Sequence, residues 1–368
     1  VRIADIRIRR FRIPLDPPFR AAWDPAPRRS FGATVVEVHT DEGLVGVGSG
    51  DDMGGFDDHR HHFIGADPTR ILDIVRRIET VSFHASRYWP LEAACWDVIG
   101  QSVGRPVSFL FGNSADRLPA YASCGELKAP AERAESALAM RGLGFRALKI
   151  RIDRDAVENG LAAVRATRDA VGDSMAIMVD MNQAWRMPGD VAPATDPAAA
   201  CRTAAALREL GVLWMEEPLP YADLAGHRLL RQEGQRLAGG EMVRSLPELL
   251  ALVEADTYDV YQPDAVLAVG MLRARMVAEL VTARNRWFTP HSWTNGVGVL
   301  ANLHLAAGVG AGPYFEVPFD PPGWTPARRD FLLAEPLEVG ADGCLAVPDR
   351  PGLGVVLDPA ALDRWELR

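Results

Sequence analysis

Three carboxylates, Asp180, Glu216 and Glu241, stand at the ends of three successive β-prone runs, IMVDMN (177–182), LWMEEP (213–218) and LAGGE (237–241). Brought to within a few ångströms, they would raise one another's proton affinity unless a cation neutralised them. An all-oxygen set, with no cysteine and no clustered histidine, suits Mg2+ better than Zn2+. Lys149 and Arg151 are one residue apart in ALKIRI (147–152), so on a strand both point to the same side, and Asp180 and Asn182 repeat that spacing. Such cations beside a metal define a site for an anion, most simply a small-molecule carboxylate. Its α-proton would become labile as the metal and the cations take up the developing charge. His291 in WFTPHSW (287–293) has the intrinsic proton affinity of a base, and Asp264 in DVYQPD (259–264) could orient its ring. Glu316 lies on YFEVP (314–318). Glu217, next to Glu216, should face elsewhere in a strand and partner a nearby basic group instead of the metal.

These residues need a scaffold that gathers strand ends. With YASCG (121–125), the runs above make eight β-prone segments, and helical patterns such as ENGLAAVRATRDAVG and SLPELLALVEA fill the gaps between them. One helix per gap is the pattern of a (β/α)8 barrel, in which chemistry collects at the C-terminal ends of the strands. The longest gap holds RMPGDVAPATD, which has no periodic face and reads as a surface loop. Residues 1–120 read differently: apolar and polar residues alternate over the first 49, with a TDEG hairpin signal, and helices follow near 68–79 and 87–101. The predicted fold is α/β: an α+β capping domain over 1–120, a barrel over 121–320, and a segment over 321–368 that returns to the capping domain.

Composition removes several alternatives. A formal net charge of −9, with no basic block, argues against a nucleic-acid partner. No apolar run approaches a membrane span, and charges interrupt the N-terminal apolar pairs too often for a signal peptide. The four cysteines, Cys95, Cys124, Cys201 and Cys344, are widely spaced, as expected of reduced residues in a cytoplasmic protein.

The stretches KIR (149–151), DMNQ (180–183), MEEP (215–218), GGE (239–241), QPD (262–264), PHSW (290–293) and YFEVP (314–318) occur in an order that resembles the enolase superfamily, specifically its mandelate racemase subgroup. The resemblance covers nearly the whole chain and implies an enolase-type modified barrel with a capping domain. It further implies Mg2+ on Asp180, Glu216 and Glu241, a catalytic His291–Asp264 dyad, and Lys149 and Glu316 at the substrate carboxylate. Similar enzymes form dimers or octamers, so a homo-oligomer is expected. Two capping loops, PPFRAAWDP (17–25) and GSGDDMGGFDD (48–58), would carry specificity, which nominates Arg20, Trp23, Asp51 and Asp52 as substrate contacts.

One departure decides the expected reaction. The position of Arg151 is often a second lysine that serves as base on the opposite substrate face, and a guanidinium is a poor proton acceptor. One base instead of two points to a lyase that dehydrates an acid sugar, an aldonate or aldarate, to a 2-keto-3-deoxy acid. A racemase or epimerase is the alternative, and a catalytically silent acid-binding barrel is the alternative of another class. Cycloisomerases and dipeptide epimerases of the superfamily are expected to be less similar, because they usually carry a lysine around the sixth strand and lack this His–Asp dyad.

Overall fold

The computed structural model describes residues 1–310 and 312–367. The chain opens with an antiparallel sheet of β1 (Ile3–Phe19), β2 (Arg28–Thr40) and β3 (Val45–Ser49). The helices Ile71–Ser82 and Trp89–Val103 follow it. On β3, Gly46 and Gly48 lie so close to the backbone of Ala94 and Pro90 that a Cβ would collide with it, so the absent side chains let the second helix lie flat on the sheet.

Eight parallel strands make the second unit: β4 (Arg117–Ser123), β5 (Ala147–Arg151), β6 (Ala176–Asp180), β7 (Met215–Glu216), β8 (Leu237–Gly239), β9 (Val260–Tyr261), β10 (Trp287–Phe288) and β11 (Phe315–Pro318). They are ordered β10-β9-β8-β7-β6-β5-β4-β11. The two ends of that row meet where Gly312 N–H donates to Phe288 O at 2.6 Å and the Thr289 hydroxyl donates to Tyr314 O at 2.8 Å, which curls the sheet into a barrel. Among the described residues each gap from β4 to β11 holds one helix of nine residues or more, whereas the helix that comes next after β11, Pro326–Arg329, has four residues. The expected enolase-type barrel with an α+β cap is the architecture found.

Several strands are shorter than the apolar runs suggested, for a reason tied to the site. Asn182 (φ 47°), Glu217 (φ 45°) and Gly240 (φ 98°) adopt left-handed backbone, so the chain turns away just past Asp180 and Glu216 and just before Glu241. Period-two alternation then sorts the barrel interior into layers. Tyr121, Ala147, Met178, Trp214, Ala238 and Val260 form an apolar floor. Two residues further along their strands come Lys149, Asp180, Glu216 and Gln262, all fully buried.

The last part of the chain touches both units. β12 (Cys344–Ala346) pairs antiparallel with β4. Further on, Arg9 pairs with Glu366 at 2.8 Å, and Leu362 and Trp365 pack with Phe11 and Val35. Cap and barrel are also joined by Glu92, whose carboxylate accepts from Met271 N (3.0 Å) and Leu272 N (2.8 Å) at the start of the helix Met271–Ala283.

Asp320, just past β11, ties that strand back to the end of β4. It accepts from the Gly125 and Glu126 amides and from Lys128 (2.8 Å) and the buried Arg133 (2.9 Å). Removing one partner of such a buried pair leaves the other charge uncompensated. Asp320→Ala should therefore destabilise the protein by about 3–5 kcal/mol, and denaturant unfolding is the check. A loss below about 1 kcal/mol, the range of exposed pairs, would mean the cluster does not hold the barrel closed.

Candidate active site and metal centre

The parallel register sets Arg151 beside Asp180 and Asp180 beside Glu216 on adjacent strands. One carboxylate oxygen from each of Asp180, Glu216 and Glu241 lies within 4.8 Å of the others, and all three residues are buried. Lys149 threads between them. Its ammonium donates to Glu216 in a short contact and lies 3.4 Å from Asp180 and 2.9 Å from Glu316 Oε1. Burial works against the charged ammonium, but Glu216 and Glu316 outweigh it, and the lysine holds its proton more tightly than usual.

Arg151 is fixed on several sides. It donates to Asp180 in a short contact, to the Cys124 carbonyl at 2.9 Å and to Asn182 Oδ1 at 3.1 Å. Its guanidinium lies 4.7 Å from the centre of the Trp23 ring and 5.9 Å from that of Trp293. Ring contacts together with donors aimed at three separate acceptors are what a lysine could not reproduce.

Across the cavity, the His291 ring hydrogen-bonds through Nδ1 to Asp264 Oδ2 at 2.9 Å, while Nε2 is 3.7 Å from Glu241 Oε2. Asp264 is itself held by the amides of Val266 (2.7 Å) and Leu267 (3.0 Å) and by Asn302 (3.3 Å). A carboxylate on Nδ1 fixes the proton there and leaves Nε2 as the acceptor. Burial alone would lower the imidazole pKa, but Glu241, Glu316 and Asp264 overcome it and push it up to about 9.

Glu316 accepts from the Ser292 amide at 2.7 Å through Oε2, and its Oε1 lies 2.9 Å from the Lys149 ammonium. Burial would raise the Glu316 pKa, but Lys149 and His291 hold it low.

Glu217 departs from expectation. It is buried, and among the described residues no cation pairs with it. Its left-handed backbone denies it the alternate strand face, and burial, then Glu241 and Glu216, push its pKa well above the usual carboxylate range. Glu241 is raised too, by burial first and by Glu216 against the pull of His291. The surplus of buried carboxyl groups over Lys149, Arg151 and His291 is an electrostatic deficit that a divalent cation would fill. An all-oxygen donor set with room for further ligands fits Mg2+.

A cavity of about 470 Å³ opens above this layer, lined by Arg151, Asn182, Glu241 and His291 below and by Trp23, Phe31, Trp185, Trp293 and Trp324 around the side. Lys149, Asp180, Glu216, Asp264 and Glu316 are beneath its surface. Of the nominated cap residues, Trp23 lines the cavity. Arg20 is exposed, and its backbone amide bonds Glu126. Asp51 pairs with Arg87 at 3.0 Å, and Asp52 bonds the Gly54 amide, so neither forms part of the wall.

Other contributors had little or no signal in the sequence. Trp185 donates to Glu241 Oε1 at 2.8 Å from the loop after β6. Gln262 donates to Glu216 Oε2 at 2.8 Å, and its spacing of two from Asp264 was the available clue. Arg28, Arg186 and Arg244 also reach the wall.

Comparison with known proteins agrees with this geometry. The family model described as enolase C-terminal domain-like matches residues 130–361. A 3,6-anhydro-alpha-L-galactonate cycloisomerase from Streptomyces coelicolor is 34% identical over 276 residues, 74% of this chain and 70% of that protein. An L-talarate/galactarate dehydratase from Salmonella typhimurium is 27% identical, covering 90% of this chain and 81% of its own. The crystal structure of a racemase from Streptomyces coelicolor A3(2) with bound magnesium superposes with a TM-score of 0.85 at 28% identity, covering 99% of this chain and all of that one. The expectation that cycloisomerases would be the less similar relatives does not hold, since one is 34% identical over 74% of this chain. The chain belongs to the enolase superfamily, among its mandelate racemase and muconate lactonizing type members.

Proposed function

We propose that this protein is a Mg2+-dependent lyase that removes the α-proton of a hydroxylated carboxylic acid and expels the β-hydroxyl, converting an acid sugar to a 2-keto-3-deoxy acid. The observation that carries this reading is the asymmetry of the cavity: on one side a buried imidazole whose Nε2 makes no hydrogen bond among the described residues, and on the other a guanidinium locked by Asp180, Cys124 O and Asn182. Racemisation needs a proton acceptor on each face, and Arg151 does not serve as one.

Asp180, Glu216 and Glu241 would hold the cation, which would make the substrate α-proton more acidic by drawing charge from the carboxylate. Arg151 and Asn182 face the same space and would orient that carboxylate. Lys149, charged throughout, offsets negative charge from below, and Glu316, whose Oε1 lies 2.9 Å from that ammonium, would help hold it in place beneath the substrate. His291 Nε2 takes the α-proton, and the imidazolium that results is stabilised by Asp264. The same nitrogen then protonates the departing β-oxygen as the carbon–oxygen bond breaks, and the enol product tautomerises to the keto acid.

A second reading is favoured by the cavity wall. Five aromatic side chains, Trp23, Phe31, Trp185, Trp293 and Trp324, would pack against the apolar face of a ring. If the leaving oxygen belonged to a ring of the substrate, the same steps would open it without loss of water, a cycloisomerisation like that named for the relative at 34% identity.

A library of aldonic, aldaric and cyclic sugar acids, assayed with Mg2+, should yield 2-keto acid from at least one member. Mg2+-dependent α-deuterium exchange with no keto acid from any of them would contradict elimination and favour racemisation. Replacing the base, His291→Asn, should lower kcat by about a thousandfold while Mg2+ binding measured by calorimetry persists. Undiminished turnover would remove His291 from the mechanism. Because the base must be neutral, kcat/KM should fall as pH drops through the imidazole pKa. Asp264→Asn takes away one of the groups that raise that pKa, so the acid limb should move to lower pH as the rate drops, and an unmoved limb would show that Asp264 does not act through the ring.

A further inference from the structure

Four arginines line the cavity, and the chain supplies an anion to three of them. Arg28 pairs with Asp24 at 2.8 Å, Arg151 with Asp180, and Arg186 with Asp190 at 3.2 Å. Arg244, three residues beyond Glu241 on the loop that leaves β8, is the fourth. Among the described residues no hydrogen bond or ion pair reaches it.

Its surroundings do not compensate. Partial burial, then the nearby Arg87, weakens Arg244's hold on its proton, and Asp51, already paired to Arg87 at 3.0 Å, opposes this only in part. Arg244 therefore presents a planar fork of donors at the mouth of a cavity whose acidic groups are gathered on its floor. That fork matches the geometry of a carboxylate.

We propose that Arg244 receives a second anionic group, the distal carboxylate of the substrate, and so selects aldarates over aldonates of the same configuration. The inference rests on the cavity being the site of acid-sugar turnover, and it specifies the far end of the molecule that the metal-proximal residues leave open. Arg244 touches substrate and is remote from the reacting carbon, so it acts on binding and specificity. It makes no hydrogen bond or ion pair within the described chain, so its replacement spares the fold.

The test uses the full-length, Mg2+-loaded protein and matched pairs of acids, galactarate with galactonate and glucarate with gluconate. Dissociation constants are measured by calorimetry in the His291→Asn background, and kcat/KM in the otherwise unchanged enzyme, for Arg244, Arg244→Met and Arg244→Lys. At least one aldarate should bind about tenfold or more tightly than its matched aldonate. Arg244→Met should erase that preference by weakening the aldarate alone, and Arg244→Lys should restore part of it. Equal weakening of both members of a pair, or no aldarate preference before mutation, would overturn the proposal. Keto acid formation without discrimination by Arg244 would sink this inference and leave the elimination reading intact. The expected pattern of dissociation constants with no keto acid from any acid would do the reverse.

Discussion

The structure is organised by the cost of placing carboxylates out of water next to one another. Asp180, Glu216, Glu217, Glu241, Asp264 and Glu316 are all buried in one end of the barrel, where like charges repel strongly and solvent cannot screen them. Lys149 and Arg151 reduce the repulsion and do not balance it. A divalent cation shared by Asp180, Glu216 and Glu241 would complete the neutralisation. The site would then be a pre-set field, with negative groups to hold the metal, cations to cap the carboxylate end of a substrate, and one imidazole to take a proton.

That field depends on strand geometry below and on covering elements above. Parallel pairing sets Arg151, Asp180 and Glu216 side by side, and the change from an apolar floor to a charged layer occurs within one period of the strand. Left-handed turns at Asn182, Glu217 and Gly240 end the strands there, leaving the carboxylates at the rim instead of continuing an apolar stack. The lid comes from distant sequence. Phe19 and Trp23 of the cap, Trp293 after β10 and Trp324 beyond β11 pack with ring centroids 4.9–6.1 Å apart, so the N-terminal loop and the C-terminal segment close over the same cavity.

What could be read in advance divides along physical lines. Residues at strand ends were legible because a period of two and a single β-prone run determine which side chains point inward, and Asp180, Glu216, His291 and Asp264 all obey it. Glu217 was misread as the partner of a base because a two-residue acidic pair carries no sign that its second member adopts a left-handed backbone. Trp185 was not found, since it reaches Glu241 from a loop with no periodicity. In the cap, Trp23 lines the cavity while Arg20, Asp51 and Asp52 do not, a distinction set by tertiary packing and by competing partners such as Arg87 and Gly54.

The central claim is that three carboxylates from three strands act as one cation site. Anomalous scattering from crystals grown with Mn2+ in place of Mg2+ tests it directly. A single peak bonded to Asp180, Glu216 and Glu241 together is the predicted result. Peaks that contact these residues separately, or none among them at saturating metal, would contradict the account and remove the source of acidity on which the proposed elimination depends.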